Sequence, residues 1–246
     1  MIADITLTDL ERLWLAALWL AWVTLLIGGF ITGKLNAAGT HRIATWRRMG
    51  ASLTLVLAAW SWWLMVNEGE IATFALLIAL GMSAGFVGDL LLADLFPLGE
   101  MSVLAGMAAF GIGHVLYIVG LLDLGRTHAF DATRWLALLV WLLVAAVIWY
   151  VLVFRGQQHT APHYAALPYG LLLASTTGLA SGLVLVVPAC APIAIGAALF
   201  LFSDFVLAAQ LFNGAHFRMI GDLVWLTYSP GQMLIVFGIA VGILVI

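Results

Sequence analysis

Charge is scarce in this chain. Lys, Arg, Asp and Glu make up 9% of its 246 residues, against about 25% in soluble domains. The formal net charge is -3 and no basic run exceeds Arg47-Arg48, so the electrostatic footprint of a nucleic-acid-binding protein is missing and nucleic acid is not an expected partner. Cysteine is limited to Cys190, which excludes an intrachain disulfide. Histidines are few and scattered. His159 and His163 have the spacing of a helical metal pair, but Pro162 lies between them in a polar stretch, so neither a metal site nor a cofactor is expected. The N-terminal "MIADITLTDLERLW" is acidic and lacks a positive leader region, so the first apolar run is expected to be retained rather than cleaved.

Apolar residues fill the space that charge leaves. They make up 65% of the chain, with a mean hydropathy of +1.15, which predicts an all-α, polytopic integral membrane protein. A spanning helix needs about 20 predominantly apolar residues, and clusters of charge, Pro and Gly mark the connections. Eight spans are predicted, near 13–33, 50–66, 71–95, 102–122, 135–153, 164–186, 190–212 and 223–245. The connections are too short for a separate soluble domain, so residues 1–246 are read as one transmembrane domain. Lys34, Arg42, Arg47 and Arg48 fall between spans one and two, and Arg155 and Arg218 fall on the same side, against Arg12, Arg126 and Arg134 opposite. The excess of Lys and Arg marks a cytoplasmic face and predicts both termini outside. Trp14, Trp19 and Trp22 near one span end, and Trp60, Trp62 and Trp63 near another, read as interfacial anchors.

Ionisable groups inside spans cost at least about 2.5–3.5 kcal/mol when central, so they face protein or water and suggest function. Asp89, His114 and Asp204 meet that description, whereas Asp94 and Asp222 lie near span ends where solvation is expected. Asp89 comes late in span three and Asp204 late in span seven, which run in one direction. Tyr169 comes early in span six, and Tyr228 and Gln232 early in span eight, which run in the other. All five therefore belong to the same half of the membrane, with His114 deeper and Phe110 and Tyr117 on its face. A polar pocket opening to one leaflet is the economical reading.

A parallel four-plus-four repeat is also readable. "GDLLLADLF" from Gly88 matches "SDFVLAAQLF" from Ser203, and "HVLYIVG" from His114 aligns with "QMLIVFG" from Gln232, in the same order and on spans of equal direction. A pseudo-two-fold axis along the membrane normal would then set Asp89 and Asp204 across the centre from one another.

The stretches "GFVGDLLLADLF", "FGIGHVLYIVG", "ALFLFSDFVLAAQLF" and "LVWLTYSPGQMLIVFGI" together resemble the YhhN-like lysoplasmalogenase family of polytopic membrane alkenyl ether hydrolases. The resemblance runs from about span three to the C-terminus. It implies a lysophospholipid substrate drawn from membrane lipid, hydrolysis of its vinyl ether bond, a bacterial inner membrane setting, and an active site lined by Gly88-Asp89, His114 with Tyr117, Ser203-Asp204, and Tyr228 with Gln232. One departure is Lys34, followed here by Leu35 where the family often has Pro.

The residue types suit the implied chemistry. Vinyl ether cleavage needs a proton delivered to carbon and a water activated nearby, and two carboxylates in a low dielectric divide into one protonated and one ionised group. Asp89 and Asp204 are therefore the expected acid and base, in either order. His114, Tyr169, Tyr228 and Gln232 are expected either to hold water or the glycerol portion or to serve as structural hydrogen-bonding groups. The alternative is a proton-coupled transporter that uses Asp89, His114 and Asp204 as a relay.

Overall fold

The computed structural model describes residues 7–96, 98–99, 101–126, 132–155 and 159–245. Helices α1 (Asp9–Thr32), α2 (Thr45–Val66), α3 (Ala72–Leu92), α4 (Met101–Leu124), α5 (Ala132–Trp149), α6 (Ala161–Val184), α7 (Ala191–Asn213), α8 (Ile220–Phe237) and α9 (Ile239–Val245) follow in chain order, and no strand occurs among the described residues. A π-helical turn, Tyr150–Phe154, prolongs α5. Eight segments are long and apolar enough to cross a membrane, the fifth taking in the π turn and the eighth taking in most of α9. Each predicted span coincides with one of them. Helix suits such segments, because in hydrocarbon every N–H and C=O must be satisfied within the protein and a helix does so within one segment.

Local signals set the helix ends. Thr8 and Glu11 form a reciprocal capping box at the start of α1, with bonds of 3.3 and 2.7 Å. Gly214 ends α7 in the left-handed region at φ 64°, and Ala215 N–H reaches back to the Ala209 carbonyl at 2.9 Å. Asp94, just past α3, is exposed as expected.

The packing has the symmetry of the predicted repeat. α3 lies along α4 as α7 lies along α8, while α2 touches α3 and α8 as α6 touches α7 and α4. Both long pairs cross at glycines in the same register. A Cβ on Gly113 would stand 2.9 Å from the Gly81 carbonyl oxygen, and a Cβ on Gly196 or Gly231 would stand 2.6 Å from the other's carbonyl oxygen. Gly81 and Gly196 each precede an aspartate by eight residues, and Gly113 and Gly231 directly precede His114 and Gln232. Phe110 and Tyr228, each four residues before that last pair, meet edge to face with centroids 5.8 Å apart. Contact between equivalent residues places them on the pseudo-two-fold axis.

Two expectations are corrected. Trp14 and Trp19 are 49% and 41% exposed, but Trp22 and Trp62 are core residues at 4% each. Trp22 continues the buried stripe Leu15, Leu18, Leu26 and Gly29 at helical steps, and its indole N–H donates to Ser229 Oγ of α8 at 2.8 Å. Asp222 is not solvated. It is 1% exposed and accepts from Arg42 N–H at 2.7 Å and Ile43 N–H at 3.1 Å. The backbone donors of that irregular connection need an acceptor at depth, and Asp222 supplies it.

Candidate active site

Asp89 lies in the last turn of α3 and is 4% exposed. Ser52 Oγ of α2 and Tyr228 OH of α8 both donate to its Oδ2, the latter at 2.9 Å. Gly85, one turn earlier, makes room for this arrangement: a Cβ there would meet Gln232 Nε2 at 3.0 Å and Tyr228 OH at 3.7 Å. On the other side of the axis, Tyr169 OH of α6 donates to Asp204 Oδ2 of α7. The two aspartates thus receive hydroxyls from corresponding neighbours, α2 for Asp89 and α6 for Asp204. Among the described residues Asp89 alone of the two has a second donor, because the position equivalent to Tyr228 holds Phe110.

Asp89 and Asp204 line one cavity of about 280 Å³, together with Ser203, Tyr228, Arg48 and His41. At about 30 Å³ per water that space takes several molecules. Its walls include Thr40 from the α1–α2 connection, Ala93 just after α3, Gln210 near the end of α7 and Gly221 at the start of α8. The mouth therefore lies at the end of the bundle that carries Lys34, Arg42, Arg47 and Arg48. A second, apolar crevice runs between α5, α6 and α7 past Trp149, Val153, Leu173 and Phe205, and Tyr169 forms part of its wall. The crevice and the cavity share Asp204, Leu207 and Leu211. Asp204 stands where the polar and apolar spaces meet.

His114, Tyr117 and Gln232 line neither space. Tyr117 OH donates to Gln232 Oε1 at 2.8 Å, and His114 Nδ1 pairs with Thr176 Oγ1 at 2.9 Å. All three are nearly fully buried, in a layer beneath the aspartates where the His114 ring packs on Phe200 with centroids 4.6 Å apart. Gln232 thus belongs with His114 rather than with the upper group. Ser203 lines the cavity but turns its hydroxyl to the Val224 carbonyl at 3.2 Å, joining α7 to α8.

Several contributors escape sequence reasoning. Ser52 and Thr176 sit among other span hydroxyls with nothing to set them apart, and only three-dimensional pairing reveals their partners. Arg48 is visible as a charge but reads as a topology signal. His41, in the connection before α2, touches the cavity, and burial followed by the nearby Arg48 guanidinium holds its imidazole below the ordinary histidine range. His159 stacks on Phe154 with centroids 4.1 Å apart, and His163 serves the Thr160 helix cap.

A helical membrane protein with two carboxylates in a cavity that holds several waters, open at one end and bordered by an apolar crevice, is the class these features define. The chain belongs to the YhhN family, whose model matches residues 47–239. That match takes in α2 from Arg47 on, with Arg48 and Ser52, as well as the stretches from α3 onward. Neither a curated protein nor a solved structure matches the chain.

Proposed function

We propose that this protein is a lysoplasmalogenase, hydrolysing the vinyl ether bond of lysoplasmalogens to a fatty aldehyde and glycerophosphoethanolamine or glycerophosphocholine in a bacterial inner membrane. Membership of the YhhN family, the family of lysoplasmalogenases, supports the reading. The observation that carries it is the position of Asp204 at the junction of the two spaces, with Asp89 in the same cavity. A single-chain lipid has the same division, with a polar headgroup, an apolar tail and the reactive alkene between them. The first carbons of the tail enter the crevice and the headgroup occupies the cavity.

The two environments suggest a division of roles. Asp89 accepts two hydroxyl hydrogens on one oxygen, the arrangement of a carboxylate that acts as acceptor. Asp204 borders the apolar side and is the acid. Its proton passes to the β-carbon of the vinyl ether, the alkene electrons form the new C–H bond, and positive charge is left on the ether carbon and oxygen. Water attacks that carbon while Asp89 takes the proton it loses. In the resulting hemiacetal, Asp204, now ionised, removes the hydroxyl proton as the carbonyl forms, and Asp89 returns its proton to the departing glycerol oxygen. Each carboxyl ends in its starting state, and one water has been consumed. Positioned acid and base groups each contribute about 10²–10⁴-fold to such steps. Tyr169, Tyr228 and Ser52 orient the carboxyls, and the His114, Tyr117 and Gln232 layer supports them from below.

The relay alternative has less support, because His114 bonds Thr176 and neither aspartate among the described residues. The test is aldehyde release by the purified protein in heavy water. One deuterium is expected on the carbon next to the aldehyde carbonyl, with a saturated ether of equal length bound but unreacted. Unlabelled aldehyde, turnover of the saturated lipid or no aldehyde at all would remove the proposal.

A further inference from the structure

Arg48 lines the mouth of the cavity, where Asp222 and Asp89 attract it through space but neither meets it in an ion pair. Its guanidinium lies over the Trp225 ring, 5.5 Å from the centroid, and Nη2 donates to Thr45 Oγ1 at 3.1 Å. Nε is buried and has no hydrogen-bond partner. No carboxylate comes within ion-pair distance of Arg48 among the described residues. A half-buried cation that lines a cavity without an ion-pair partner is costly unless an anion completes it. Its planar fork suits phosphate oxygens.

A second donor lines the same mouth. Asn36 Oδ1 accepts from the backbone N–H groups of Thr40 at 2.8 Å and His41 at 3.2 Å, which turns Asn36 Nδ2 toward His41 Nδ1, 3.2 Å away. An amide nitrogen only donates, so His41 Nδ1 accepts and Nε2 carries the ring hydrogen. His41 and Arg48 both face the cavity that holds the aspartates.

We infer that Arg48, assisted by His41, forms a phosphate subsite that takes the glycerophosphodiester headgroup of a lysophospholipid. The choice of a lipid rests on the proposed function; the anion site rests on Arg48 and its surroundings. With phosphate at the mouth and the tail in the crevice, the ether linkage comes to lie beside Asp204, so the subsite sets the direction in which substrate enters.

The experiment measures binding to the purified full chain of two unreactive saturated lipids with the same hexadecyl tail, a lyso-ether phosphoethanolamine and the phosphate-free hexadecylglycerol. Wild-type protein is expected to bind the phospholipid at least tenfold more tightly. Arg48→Gln should weaken the phospholipid by about ten- to hundredfold and leave hexadecylglycerol unchanged, while Arg48→Lys, which keeps the charge but not the fork, should fall between. Equal affinity of wild type for the two lipids, or equal weakening of both by Arg48→Gln, overturns the subsite. Should Arg48→Gln fail to fold, the wild-type comparison and Arg48→Lys still decide. Glycerophosphoethanolamine is expected to displace the bound phospholipid at lower concentration than inorganic phosphate, and equal displacement would overturn the lipid headgroup as ligand. Neither lipid contains a vinyl ether, so absence of aldehyde release would sink the hydrolase reading without altering this result.

Discussion

Tyr228 and Phe110 occupy equivalent positions on α8 and α4 and touch edge to face at 5.8 Å, yet only Tyr228 ends in a hydroxyl, which lies 2.9 Å from Asp89 Oδ2. A near-symmetric bundle thereby gives its two aspartates unequal surroundings. One carboxyl receives two donors and the other receives one, and acid–base division of labour needs such a difference.

Tyr228→Phe gives α8 the ring that α4 already has. Packing survives and one charge-assisted bond is lost, so aldehyde release should fall by about 10- to 100-fold with little change in thermal stability. A variant that keeps the wild-type rate would show that the asymmetry has no catalytic consequence.

Replacing either carboxyl by its amide keeps shape and removes the exchangeable proton. Asp89→Asn and Asp204→Asn should each reduce aldehyde release by at least about 10²-fold, whereas Asp94→Asn, exposed beyond the end of α3, should stay near wild type. Comparison of initial rates at matched amounts of folded protein decides this; activity in both pocket variants would exclude the pair.

The glycine crossings carry a stability prediction independent of any activity. Gly196→Ala or Gly231→Ala drives a methyl to 2.6 Å from a backbone oxygen, and such overpacking typically costs about 1–3 kcal/mol. Gly28→Ala, whose Cβ would meet only Thr24 Cγ2 at 3.9 Å, should be neutral or slightly stabilising. Thermal inactivation in detergent distinguishes them.

His41 makes the cavity mouth sensitive to acid. Burial first, and Arg48 second, lower its folded-state pKa, so the unfolded chain binds a proton more readily and the stability His41 contributes is present above about pH 6.5 and lost as pH falls below it. Protonation also places a hydrogen on Nδ1, where Asn36 Nδ2 already donates. Melting curves between pH 8 and pH 5 should show a larger decline for wild type than for His41→Gln, and parallel curves would remove His41 as the cause.

Span number and the common depth of Asp89, Asp204, Tyr169 and Tyr228 are readable in the sequence because length, apolarity and helical direction set them with no knowledge of packing, and the four-plus-four register is readable because two motif pairs recur in the same order. Asp89 and Asp204 announce themselves because carboxyls are rare in such runs. Their donors do not. Ser52 resembles every other span serine until α2 is placed beside α3, and Asp222 reads as a solvated end residue because its acceptor role depends on backbone groups of Arg42 and Ile43, far away in the chain. Trp22 shows the same limit, since its neighbours along the helix do not disclose that Ser229 waits opposite.

The Asp222 clamp has a consequence for biogenesis. Arg42 and Ile43 leave the ribosome early, but their N–H groups find their acceptor only when α8, the last long helix, enters the membrane. Until then the connection before α2 has only its own bonds, such as those to Asn36 Oδ1, to hold it. The rim of the cavity is therefore finished last, and a chain truncated before α8 would present two aspartates without a doorway.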